Sequence, residues 1–87
     1  MSNFLKTIRK NGGKLIKVKN ERIGEAVYSY GKREGLTRDE VSSRIGMCTP
    51  SLNLRINGKR TWRVNELIKI SDLTGVGFNE FFEEVEE

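Results

Sequence analysis

The 87-residue chain contains no histidine. That removes the side chain most used for acid–base catalysis near neutral pH, and with it any zinc site built on imidazole. Its one cysteine, Cys48, cannot make an intramolecular disulfide and suits a reducing, cytoplasmic setting. No apolar run is long enough for a membrane span. Lys6, Arg9 and Lys10 lie near the start, but no continuous apolar stretch follows them, so the segment is not read as a secretory signal. There is no internal repeat, low-complexity tract, phosphate loop, metal cluster or nucleophile–base pair. The expectation is one compact non-enzymatic domain with no cofactor and no metal.

Acidic residues are scarce where basic ones are plentiful. Residues 1–63 carry 15 Lys/Arg against 5 Asp/Glu, a balance of +10, whereas residues 64–87 carry 1 against 7, a balance of −6. A positive face of that kind attracts a polyanion and releases its counterions.

The chain divides into a basic leader, residues 1–20, and a body, residues 21–87. In the leader, Phe4, Leu5 and Ile8 have helical spacing, and Asn11-Gly12-Gly13 would stop such a helix. Lys14 to Lys19 reads KLIKVK, compatible with a short strand or an extended arm. The body reads as five short helices and an all-α domain. The first covers 21–34, with Ile23, Val27 and Tyr30 on one face and Gly35 past its end. The second covers 38–45, opened by the capping box Thr37-Arg38-Asp39-Glu40 and closed by Gly46. The third begins at Thr49-Pro50, where proline loses nothing because its N–H would be orphaned, and ends at Asn57-Gly58. The fourth covers 64–73, with Val64, Leu67, Ile68 and Ser71 on one stripe. The fifth covers 78–84, with Phe78, Phe81, Phe82 and Val85 as its apolar face.

Two short helices joined by a tight glycine-containing turn, at Gly46-Met47-Cys48, form a helix-turn-helix arrangement. An αα-hairpin without any nucleic-acid role has the same geometry, so the outward face of the third helix has to decide. With Leu52 and Ile56 inward, Pro50, Leu54, Asn57 and Ser51 point outward, Asn53 and Arg55 flank them, and Thr49 sits at the tip. None of these is acidic. Ser51, Asn53 and Thr49 can hydrogen-bond base edges or phosphates, and Leu54 can meet a thymine methyl. The following loop, Asn57-Gly58-Lys59-Arg60-Thr61-Trp62-Arg63, packs three cations into five residues and suits phosphate clamping. Arg38 adds a cation at the start of the second helix. Trp62 is read as a core cover, and Cys48 as a small turn residue.

Residues 23–82 resemble the Cro/repressor-type (XRE, lambda-repressor-like) helix-turn-helix family. The residues that carry the resemblance are Ile23-Gly24, Gly35-Leu36-Thr37, Gly46, Asn57-Gly58-Lys59-Arg60, Leu67, Ile70, Gly75-Val76 and Phe81. The resemblance implies a five-helix DNA-binding domain, usually dimeric on a near-palindromic operator. It implies base contacts from Thr49, Pro50 and Leu54 with Ser51 and Asn53 close by. Phosphate contacts would come from Arg38, Asn57 and the loop residues Lys59, Arg60 and Arg63, with Arg55 added from its position on the helix flank. The function expected is a transcriptional regulator that binds operator DNA as a homodimer, a phage or mobile-element repressor acting by occupancy. Gly31 and Ile56 replace an arginine and a glutamate that commonly pair in the family, consistent with an apolar contact there. Leu73-Thr74 reverses the usual small-then-leucine order, so the end of the fourth helix is expected to be rotated or frayed.

A second expectation belongs to another class. The helical surface, the phenylalanines and the acidic C-terminus could dock a protein partner, as in an antitoxin or antirepressor. The leader is open to three readings: a minor-groove arm, a pairing segment between protomers, or a segment ordered only by DNA.

Overall fold

A computed structural model describes residues 4–5, 7–9 and 15–85. The element order is β1 (Phe4–Leu5), β2 (Thr7–Arg9), β3 (Leu15–Val18), α1 (Asn20–Glu34), α2 (Arg38–Ile45), α3 (Thr49–Ile56), β4 (Trp62–Arg63), α4 (Val64–Thr74), a 3₁₀ turn (Phe78–Phe81) and β5 (Phe82–Val85). The four α-helices fall where periodicity and capping residues put them, within a residue or so at each end. Thr37 and Glu40 close the capping box in both directions: Glu40 N donates to Thr37 Oγ1 at 3.1 Å, and Thr37 N to Glu40 Oε1 at 2.8 Å. Helix α3 ends in a Schellman motif. Gly58 takes φ +78°, Lys59 N donates to Leu54 O (2.8 Å), and Gly58 N donates to Arg55 O (3.1 Å).

The all-α expectation holds for most of the body and fails at both ends. No fifth α-helix forms over 78–84; the chain makes one 3₁₀ turn and then extends into β5. Phe81 and Phe82 end up in different elements. Phe81 is fully buried, while the half-buried Phe82 meets Phe78 with ring centroids 5.0 Å apart. Residues Phe82–Val85 extend instead into a strand whose backbone pairs with β3 along its whole length. The leader is not helical where it is described. β1 pairs antiparallel with β4, Phe4 opposite Arg63 and Leu5 opposite Trp62. A three-stranded antiparallel sheet has the order β2-β3-β5, with Ile8 opposite Ile16, Lys17 between Thr7 and Glu83, and Val18 opposite Phe82. Of the two readings of KLIKVK, the strand is the one observed, and it is the middle strand. Asn11-Gly12-Gly13, expected to stop a leader helix, lie outside the described residues.

The core gathers around α1. Ile23, Ala26, Val27 and Tyr30 face Val41 and Ile45 of α2, Leu52 of α3, Leu67 and Ile70 of α4, Trp62, Phe81 and, from the leader, Val18. Trp62 covers the core as expected, 1% exposed, and its Nε1 donates to Asn20 Oδ1 at 2.9 Å. Three finer expectations are corrected. The inward stripe of α4 is Leu67, Ile70 and Thr74, leaving Ile68 47% exposed. The end of α4 is not frayed: Thr74 is buried on the same stripe as Leu67 and Ile70, and its hydroxyl donates to Ile70 O at 2.7 Å. Ile56 packs on Gly24, not Gly31. A Cβ at Gly24 would stand 3.0 Å from Ile56 Cγ2, whereas one at Gly31 would meet Val41 and the Leu36 carbonyl. Gly24 thus sets how close α1 and α3 can come. Among the described residues, no helix is long and apolar enough to cross a membrane.

Candidate nucleic-acid interface

The turn between α2 and α3 is three residues long, Gly46-Met47-Cys48. Gly46 makes it possible. It adopts φ +99°, a conformation that costs an L side chain roughly 1–2 kcal/mol. Gly46 N and Met47 N then donate back to the Ser43 and Ser42 carbonyls, each at 3.1 Å. Met47 is half-buried against the core, and Cys48 is the N-cap of α3.

A small polar network joins the two helices at this corner. The Thr49 hydroxyl has two acceptors in reach, the Asp39 carboxylate and Ser42 Oγ, the latter at 3.1 Å. Ser42 sends its own proton to Arg38 O at 2.9 Å. Cys48 Sγ lies 3.3 Å from Ser51 Oγ. That hydroxyl, and then the Ser51 backbone N–H, favour the thiolate and hold the Cys48 thiol below its ordinary range. The surface formed here by Asp39, Ser42, Ser43, Gly46, Met47, Cys48, Thr49 and Pro50 is an open concavity of about 510 Å³.

The outward stripe of α3 is Pro50, Asn53 and Asn57, all exposed. Thr49, Ser51, Leu54 and Ile56 are half-buried, and Leu52 and Arg55 are buried. The helix is therefore turned by about 50° from the orientation that Leu52 and Ile56 imply, at 100° per residue. Arg55 is the cause. Placed by sequence on the flank as a phosphate contact, it is 9% exposed. Its Nε donates to Glu66 Oε1 at 3.0 Å, and its Nη1 to Ser51 O at 3.2 Å. The same Glu66 oxygen accepts from Arg63 N at 2.8 Å. Arg55 thus ties α3 to the start of α4 and turns no charge outward. Periodicity could not have found this, because an arginine reads as outward until its carboxylate, 11 residues on, is known to face it.

The remaining cations expected at the interface are on the surface. Arg38, Lys59, Arg60 and Arg63 are all exposed, and Asn57 caps the end of α3 beside them. The loop that carries three of them is anchored at one end by the Schellman motif at Gly58. At the other end Trp62 is buried and β4 pairs with β1. The phenylalanines offered for partner docking are drawn into the fold, with Phe81 buried and Phe78 and Phe82 stacked against the core. Comparison with protein families, with curated proteins and with solved structures finds no match for this chain.

Proposed function

We propose that the chain binds double-stranded DNA through α3 and acts as a sequence-specific regulator of the Cro/repressor type. The carrying observation is the division of labour around α3. Its exposed stripe, Pro50, Asn53 and Asn57, is uncharged, and the segments that precede and follow α3 in the chain carry exposed cations at Arg38, Lys59, Arg60 and Arg63. Uncharged polar and apolar side chains can distinguish base edges, while cations bind every phosphate alike. The half-buried Thr49, Ser51 and Leu54 border the stripe and belong to the same reading surface. In this reading Arg55 is a strut and contributes no phosphate contact.

The test is a binding-site selection from a random DNA pool, followed by titration of the enriched site against random duplex. Asn53→Ala with Leu54→Ala should weaken binding to the enriched site by about tenfold or more, in line with about 1–3 kcal/mol per lost base contact. Binding to random duplex should stay nearly unchanged. An equal loss on both duplexes removes α3 as the reader. Failure of the wild-type chain to retain any DNA at low salt removes the DNA-binding reading itself.

A further inference from the structure

The concavity at the α2–α3 corner contains a carboxylate that a phosphate-binding surface would not choose. Asp39 is exposed, and it lies against Thr49 at the tip of the proposed reading helix. A neighbouring phosphate would be repelled by it. Its stabilising role in the first turn of α2 is already shared with Glu40, which closes the capping box. We infer that Asp39 is a base-selecting residue, which reads an exocyclic amino group in the major groove; the inference rests on the DNA-binding reading above.

An ionised carboxylate accepts hydrogen bonds and donates none. One of its lone pairs takes the Thr49 proton, and the others face solvent. Thr49, its proton committed to Asp39 or Ser42, also presents lone pairs. Ser42 reinforces the polarity by sending its own proton inward to Arg38 O. The corner is therefore biased towards acceptance. In the major groove the hydrogen-bond donors are the amino groups of cytosine N4 and adenine N6, whereas guanine O6 and N7 and thymine O4 are acceptors. An acceptor-rich corner binds the first pair and rejects the second. Specificity obtained by repelling the wrong base also accounts for tolerating a negative charge beside DNA. Asn53 and Asn57, which carry both a donor and an acceptor, lack that one-sidedness.

The experiment is binding-site selection with the wild-type chain, Asp39→Ala and Asp39→Asn, each first checked for unchanged helicity and unfolding midpoint. The wild-type pool should show one half-site position at which cytosine or adenine excludes guanine and thymine. Asp39→Ala should lower discrimination at that position by about tenfold and leave the other positions as they were. Asp39→Asn is isosteric and adds a donor, so it should admit guanine or thymine at the same position. Identical preferences at every position in wild type, Asp39→Ala and Asp39→Asn overturn the proposal and leave the DNA-binding reading standing. No enrichment by the wild-type chain overturns both together.

Discussion

Glu66 Oε1 accepts from Arg55 Nε and Arg63 N at once, with the two side chains of the ion pair only 10% and 17% exposed. The other ion pairs among the described residues, such as Arg22–Glu80 and Arg33–Glu34, are far more exposed and worth about 0–1 kcal/mol each. The Arg55–Glu66 pair differs because each partner would be left poorly solvated without the other. Removal should be asymmetric. In Arg55→Ala the carboxylate keeps its bond to Arg63 N and its partial access to water, so the cost should be about 1–2 kcal/mol. In Glu66→Ala a buried guanidinium keeps only the Ser51 carbonyl and the start of α4 loses an acceptor, so the cost should approach about 3 kcal/mol. Urea unfolding of the two variants checks the order. If Arg55→Ala costs more than Glu66→Ala, the pair is not organised around the carboxylate.

The described leader strands behave as parts of the domain. β3 lies between β2 and β5, Val18 enters the core, and Lys19 N continues the ladder to Phe81 O at 2.7 Å. Lys17 is the sharpest probe, because its side chain is exposed while its backbone sits between Thr7 and Glu83. Lys17→Pro should cost on the order of 3 kcal/mol by breaking the middle strand, whereas Lys17→Ala should change stability by no more than about 0.5 kcal/mol. Equal unfolding midpoints for both would mean that the leader is an arm loosely laid on the body. The limits of the sequence are visible in the same segment. Caps and glycines mark α2 and α3 because their signals are local: Thr37 with Glu40, Pro50 in a first turn, Gly46 and Gly58 in the left-handed region. Strand β3 has no local signature that separates it from an extended arm. Its partner β5 lies more than 60 residues away, and a run of Phe-Phe-Glu-Glu-Val fits either a short helix or a strand until that partner is known. The orientation of Arg55 is likewise decided by a partner outside its own helix, Glu66, 11 residues on.

The sheet also rearranges the charge of the molecule. The lopsided split along the sequence is partly undone when the basic strand β3 pairs with the acidic strand β5, setting Lys17 opposite Glu83. What stays positive is the stretch 38–63, with six Lys/Arg and two Asp/Glu, and this stretch surrounds α3. Helix α3 has eight residues, a length of about 12 Å, and an α-helix with its side chains is about 10–12 Å in diameter, which fits a major groove about 12 Å wide and allows one insertion per protomer. One short helix reads three or four bases, too few for selectivity in a genome, so the proposed function needs two protomers on half-sites about 34 Å apart. Four exposed cations, each neutralising one phosphate, give a slope of log affinity against log salt of about −3.6 per protomer and about −7 for a pair. Arg60→Ala should flatten the slope of the pair by about 1.8, one phosphate from each protomer, with little change in base preference. Inserting five base pairs between selected half-sites, roughly half a helical turn, should abolish cooperative binding. A slope near −3.6 that ignores half-site spacing would instead describe a monomer on DNA, and the second protomer would have to be withdrawn.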